Sequence, residues 1–126
     1  MIAGIGTDIT EVKRFEKWVK DPQMIERFFN EKECGFSGTL ASQCQHYAAR
    51  FAAKEAFSKA LGTGITAFNL KEVYITKDKE GKPLLNLEGA ALKIMKERFG
   101  DCDTFVSLSH EKEYAVAFVI LEKIKK

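Results

Sequence analysis

The residues best suited to do chemistry are Asp8, Glu55 and Lys59. Asp8 closes an otherwise apolar first segment, while Glu55 and Lys59 stand four apart in a long helical pattern and so share one edge. Two hard carboxylates without a His/Cys set suit magnesium better than zinc, since magnesium takes one or two carboxylates and completes its shell with water and phosphate oxygens. Lys59 would then neutralise a phosphate or assist a leaving group. Thr63 and Gly64, just beyond the helix, offer a hydroxyl and backbone N–H groups to the same phosphate. Each residue also has a plainer reading. Asp8 is a good N-cap for the segment that follows, and Glu55 with Lys59 would make a surface ion pair contributing roughly 0.3–0.5 kcal/mol. Ser107-Leu108-Ser109-His110 has the residue types of a proton-transfer site, but no G-x-S-x-G elbow surrounds it and no acid is fixed to orient the histidine. His46 reads as a boundary histidine, and Trp18 as a staple beneath the first helix or a partner contact.

These residues need elements to hold them. Ile2 to Ile9 alternates, with Ala3, Ile5 and Ile9 expected on a packed face and Gly4, Gly6 and Asp8 on a face left bare. Two strand glycines indicate either a close backbone approach or a bulge. Glu11 to Val19 reads as a helix through Val12, Phe15 and Val19. Asp21-Pro22 starts a short helix to about Phe29, and Asn30 with Glu33 starts a third. The longest periodic segment is Leu40 to Leu61, closed by Gly62. In it Ala48, Ala52, Ala56 and Ala60 form a small-residue row beside the row of Phe51, Glu55 and Lys59. Val73 to Ile75 and Leu84 to Leu87 flank a hairpin, and Glu88 to Phe99 is a helix stopped by Gly100. Thr104 to Ser109 and Tyr114 to Leu121 are strands. The last is apolar on both faces, which places it centrally in the sheet or in a subunit interface. Separated runs of helix and antiparallel strand give an α+β fold: one long central helix and several short helices on a small antiparallel sheet.

The chain has 126 residues, enough for one domain. Lys+Arg 20 against Asp+Glu 18 is too balanced to imply nucleic-acid binding. Cys34, Cys44 and Cys102 are odd in number and lack zinc-like spacing, so a reduced, cytoplasmic setting is expected. No signal peptide and no membrane span is expected either.

Four stretches together resemble a known family. They are Gly4-Ile5-Gly6-Thr7-Asp8-Ile9 with Arg14, then Arg50-Phe51-Ala52-Ala53-Lys54-Glu55-Ala56-Phe57-Ser58-Lys59-Ala60-Leu61-Gly62-Thr63-Gly64, then Gly81-Lys82-Pro83, then Ser107-Leu108-Ser109-His110. In this order they resemble the holo-acyl-carrier-protein synthases, the short bacterial type of 4′-phosphopantetheinyl transferase. Thr7 departs from the pattern, which more often has an aliphatic residue there. The resemblance implies transfer of phosphopantetheine from coenzyme A to a serine of acyl carrier protein, in support of fatty acid biosynthesis. It implies magnesium held by Asp8 and Glu55, with Lys59 near the pyrophosphate. It places Arg50, Thr63, Gly64, Ser109 and His110 in regions that line the coenzyme A site. It also implies a homotrimer with active sites between subunits, a use for the two-faced last strand and the alanine row. Glu55, directly or through a water, is the candidate proton acceptor, and Lys59 the candidate assistant to the leaving phosphate. Acyl carrier protein is acidic, so Lys13, Arg14, Lys17, Lys20 and Arg27 would form its docking face. The rival readings are another magnesium-dependent pyrophosphate enzyme with water as acceptor, and a basic binding module without chemistry.

Overall fold

A computed structural model describes residues 1–125. Strand β1 (Ile2–Glu11) runs antiparallel to β5 (Tyr114–Lys123), which also pairs antiparallel with β4 (Cys102–His110). The order β1-β5-β4 makes the doubly apolar last strand central, as its composition requires. A separate hairpin joins β2 (Val73–Lys77) to β3 (Pro83–Leu87), and Thr104 Oγ1 donates to Leu85 O at 3.0 Å to tie it to β4.

Helix α3 (Leu40–Leu61) lies across the three-stranded sheet and supplies most of the core. Thr39 caps its start through a bond from the Ser42 N–H, and Gly62, with φ 83°, ends it in the left-handed conformation. Its alanine row is closed against this chain's own sheet: Ala48, Ala52 and Ala56 are fully buried and Ala60 nearly so. The row therefore serves packing within the chain, and the expected use in a subunit contact is corrected.

The glycine strand explains that packing. A Cβ added at Gly4 would overlap the Ala60 carbonyl oxygen; one at Gly6 would overlap that of Ala56 and come within 2.7 Å of the Ala60 nitrogen. Two strand residues advance about 6.6 Å and four helix residues about 6.0 Å, so glycine every second residue stays in step with alanine every fourth. The close approach accounts for both glycines, and a shift in the β1–β5 register between Ile2 and Gly4 places an irregularity beside the first of them. The close approach also reverses the expected facing of β1. Its helix-packed face is the glycine face, and Ile5 and Ile9 point outward, each 63% exposed. With Phe105 and Phe118 they form an apolar outer surface on the sheet.

The short elements differ from expectation mainly at their starts. The Glu11 to Val19 segment is a 3₁₀ turn (Val12–Phe15) followed by a single turn of helix, α1 (Glu16–Val19). Helix α2 (Pro22–Phe28) begins at the Asp21 cap, and the expected third short helix is only a 3₁₀ turn, Glu31–Glu33, though its Asn30/Glu33 capping box is formed. Phe15, Trp18, Phe29 and Phe51 pack in tilted and edge-to-face contacts beneath these turns, so Trp18, half-buried, acts as a staple for the cluster. Helix α4 (Gly89–Phe99) covers the far side, where Arg98 Nη1 donates to Leu61 O at 3.2 Å at the end of α3.

One buried ion pair was not foreseen. Lys54, fully buried on α3, donates to Glu33 Oε1 at 2.6 Å and also to the carbonyls of Leu70 and Val73. Glu33 Oε2 accepts from Ile75 N–H at 3.0 Å, so the pair knits the 3₁₀ turn, α3 and β2 into one unit. Every strong donor and acceptor is used, which is the condition for tolerating buried charge.

Gly6→Ala should destabilise the fold by about 3 kcal/mol, the upper end of overpacking penalties, because backbone rather than a flexible side chain blocks the new methyl. Chemical denaturation would report this as a lower midpoint at unchanged slope. An unaltered midpoint would contradict the proposed contact.

Candidate functional site

The β1–α3 contact brings three of the expected residues together. Asp8 lies on the glycine face of β1, two residues past Gly6, and its side chain is 16% exposed. Lys59 Nζ stands 3.2 Å from Asp8 Oδ1 and donates to Thr7 O at 3.0 Å. The other oxygen, Asp8 Oδ2, accepts from the buried hydroxyl of Thr10 at 2.8 Å. Asp8 is thus no helix cap: it sits within β1, and the cap position of the next turn is Glu11. Nor is Glu55 the ion partner of Lys59; Asp8 is.

Glu55 is half-buried on the neighbouring edge of α3. Burial raises the pKa of its carboxyl, and repulsion from Asp8 raises it further, against the opposing pull of Lys59 and Arg14. That mutual repulsion places the two carboxylates in one electrostatic site. Two carboxylates and no nitrogen or sulfur ligand fit a hard cation that fills its remaining positions with water and phosphate oxygens. Among the described residues no group of three or more His, Cys, Asp and Glu side chains gathers, which disfavours a zinc centre.

The other expected residues lie elsewhere in the chain. Arg50 is five positions before Glu55, about 140° around the helix. It is 8% exposed, donates from Nη1 to His46 O at 3.2 Å, and its buried Nε has no partner. Burial lowers its pKa, while Glu33 and Tyr47 counter that effect. Thr63 follows Gly62 with its N–H on Ser58 O at 3.1 Å; its hydroxyl is buried and unpartnered, and Gly64 is exposed. Ser109 and His110 are exposed at the end of β4, which β5 separates from β1 by two strand spacings, about 9.6 Å. Ser109 faces outward in register with Val116, and His110 is opposite Ala115 on the α3 side. Within one chain, then, Asp8 pairs with Lys59 and Glu55 feels the charge of both, while Arg50, Ser109 and His110 make no hydrogen bond or ion pair with them among the described residues.

The basic residues are exposed. Lys13, Arg14 and Lys17 line a surface groove with Glu11, Glu16 and Trp18, so the patch carries acids as well as bases. The Arg14 guanidinium lies 5.0 Å over the Phe51 ring, close enough to act on Glu55. Arg27 stacks on Phe28 at 5.2 Å. His46 is structural: its ring stacks on Phe36 at 4.5 Å and its Nε2 bonds the Glu33 carbonyl at 2.7 Å. Burial and Arg50 depress its pKa to about 4, so it stays neutral.

Sequence reasoning missed two functional supports. Thr10 could have been suspected because a hydroxyl two residues from Asp8 falls on the same strand face. Lys54 carried a signal too, a lysine among alanines on the packed side of a helix, where a charge needs a partner.

Residues 4–119 match the family model of the 4′-phosphopantetheinyl transferase superfamily. The holo-[acyl-carrier-protein] synthase of Treponema denticola is 47% identical over 123 residues, covering 97% of this chain and 99% of that protein. The Bacillus anthracis synthase, whose crystal structure is in complex with CoA (3′,5′-ADP), is 37% identical with a TM-score of 0.79, covering 98% of this chain and 99% of the other. The Plasmodium yoelii synthase is 31% identical with a TM-score of 0.84, covering 99% and 98% respectively.

The raised Glu55 pKa has a definite consequence for stability. The folded chain holds the Glu55 proton more tightly than the unfolded chain does. Its stabilising contribution is complete below the ordinary glutamate pKa and is lost as pH rises through the folded value. In a chelator-treated sample, Glu55→Gln should therefore melt higher than the parent at neutral pH. The difference should close below about pH 4, near the unperturbed glutamate pKa. Thermal melts across pH check this, and a lower melting temperature for the variant at neutral pH would contradict it.

Proposed function

The chain belongs to the 4′-phosphopantetheinyl transferase superfamily, and we propose that it does its work with a magnesium ion held by Asp8 and Glu55. As a holo-acyl-carrier-protein synthase it transfers 4′-phosphopantetheine from coenzyme A to a serine of apo acyl carrier protein, leaving adenosine 3′,5′-bisphosphate. The observation that carries the site is the cluster at the β1–α3 contact: Asp8 paired with Lys59 at 3.2 Å, with Glu55 coupled to both.

The serine Oγ attacks the phosphorus that bears pantetheine. An Oγ–P bond forms, the P–O bond to the nucleotide phosphate breaks, and the serine proton must leave. Glu55, the half-buried carboxylate on α3, takes that proton directly or through a water. Lys59, more than half exposed, reaches the leaving phosphate and stabilises the charge that builds there. Asp8 is oriented for its task by Thr10, and bound magnesium would supply charge neutralisation and alignment of the pyrophosphate.

Arg50, Thr63, Gly64, Ser109 and His110 line the coenzyme A site in this reading, supplied by neighbouring subunits of a homotrimer. Two features support that. Arg50, Ser109 and His110 make no hydrogen bond or ion pair with Asp8, Glu55 or Lys59 among the described residues, and the outer sheet surface exposes Ile5, Ile9, Phe105 and Phe118, an apolar patch that water does not favour. The unpartnered Arg50 Nε and Thr63 hydroxyl are groups that an anionic ligand would satisfy. Acyl carrier protein docks on Lys13, Arg14, Lys17 and Arg27, with Lys20 beside them. Arg14 links that face to Glu55, so docking delivers the serine near its proton acceptor. The working place is the cytoplasm, which agrees with free Cys34, Cys44 and Cys102; among the described residues no helix is long and apolar enough to cross a membrane.

Apo acyl carrier protein incubated with the chain, coenzyme A and magnesium should gain the mass of phosphopantetheine. Asp8→Ala and Glu55→Ala should each lower that transfer by at least about a hundredfold, the loss expected when a metal ligand or proton acceptor is removed, while the far-ultraviolet spectrum stays unchanged. Full turnover in both variants would remove them from the mechanism. Separately, Arg14→Glu with Lys17→Glu should raise KM for the carrier and leave KM for coenzyme A in place, most clearly at low salt. Equal shifts in both constants would refute the docking face.

A further inference from the structure

Lys59 and a divalent cation have claims on the same carboxylate. Asp8 offers two oxygens; Thr10, buried and hydrogen-bonded at 2.8 Å, holds Oδ2, and the Lys59 ammonium stands 3.2 Å from Oδ1. A hard cation on Asp8 must either share an oxygen with these donors or displace one. The Thr10 hydroxyl is carried on a short, buried side chain and has little freedom to leave. Lys59 is different: its side chain is 54% exposed, its stem is long, and its second partner is only the Thr7 carbonyl at 3.0 Å. The exchangeable partner of Asp8 is therefore Lys59.

We infer that Lys59 guards the metal position, holding Asp8 Oδ1 until the pyrophosphate of coenzyme A draws the ammonium away and yields that oxygen to the metal. The inference rests on the reading of Asp8 and Glu55 as metal ligands and adds a regulation of that site. Its physical content is an exchange of ion pairs. Lys59 gives up a carboxylate for a diphosphate of higher charge, and Asp8 gives up an ammonium for a divalent ion. Each exchange favours the other, so coenzyme A and the metal bind cooperatively and the metal alone binds weakly. A lysine serving only the leaving group would need no partner on Asp8 beforehand.

The test is Mn2+ binding to the full chain, followed by electron paramagnetic resonance, without and with coenzyme A. Without coenzyme A, Lys59→Met should bind Mn2+ about tenfold more tightly than the parent, within the range for removing a competing charge at a half-exposed site. Arg14→Met, which removes a nearby cation that does not touch Asp8, should gain no more than about twofold by the same screening argument. With saturating coenzyme A the gap between Lys59→Met and the parent should close. An unchanged or weaker affinity in Lys59→Met overturns the inference, and so does an equal gain in Arg14→Met, which would reveal only a general field. A gap that persists with coenzyme A overturns the exchange. Asp8→Asn separates the two levels: if it binds Mn2+ as the parent does, the metal reading itself fails, whatever Lys59 does.

Discussion

The approach of β1 to α3 is the contact on which the rest of this molecule depends. A strand with glycines at positions 4 and 6 meets a helix with an alanine at every fourth position, and the similar lengths of the two repeats, about 6.6 and 6.0 Å, keep them in step. Side chains at Gly4 or Gly6 would collide with backbone atoms of Ala56 and Ala60, so no sideways shift relieves them. The distance between the two backbones fixes the site. Asp8 follows Gly6 on the same strand face, and Lys59 reaches it from the helix row adjoining the alanines. Were the helix held off by a larger residue, the carboxylate and the ammonium would part, and the Glu55–Asp8 coupling would weaken with them.

Consecutive residues of α3 then take opposite assignments. Lys54 is sealed into the fold by Glu33 and the carbonyls of Leu70 and Val73, whereas Glu55 turns toward the sheet edge and stays half-exposed. The buried pair matters less as a source of net stability than as a fastener, because desolvation offsets most of the attraction. Burial pulls the Lys54 pKa down, and Glu33 holds it up. The fastener prevents the helix from rotating about its axis. A rotation of one residue, about 100°, would carry Glu55 away from Asp8 and bring Lys54 into water. The alanine contact sets the distance of the helix from the strand, and the Lys54–Glu33 pair sets its angle.

Much of this was legible in the residues, for reasons that can be named. The 22-residue span of α3, its Gly62 stop and the central place of β5 follow from periodicity, capping chemistry and two-faced hydrophobicity. The facing of β1 did not follow. Alternation tells which residues share a face but not which face meets the core, and isoleucine was the natural choice for packing. The answer lay in the pairing of two small-residue stripes, each ambiguous alone. The early helices were over-read because four residues after a strand satisfy a helical spacing as a 3₁₀ turn equally well. The site was legible only in part. Asp8, Glu55 and Lys59 meet within one chain, but their pairing depends on side-chain reach across the β1–α3 contact, and no spacing rule encodes that.

The two faces of β1 differ sharply in what they carry. The inner face carries Gly4, Gly6, Asp8 and Thr10 toward the helix; the outer face carries Ile5, Thr7 and Ile9 beside Phe118. Thr7 belongs to both sides, since its side chain points outward while its carbonyl accepts from Lys59. A shallow cavity of about 360 Å³ shows the link directly, being lined by Ile5, Gly6, Thr7, Phe118 and Lys59 together. A partner placed over this outer surface would therefore pack within reach of the lysine that pairs with Asp8. Covering that surface would strip water from the Lys59 stem and strengthen its bonds to Thr7 and Asp8 by lowering the local dielectric. Thr7 puts a polar hydroxyl at this junction. Lys59 is thus shared by the outer cavity and the Asp8 pair.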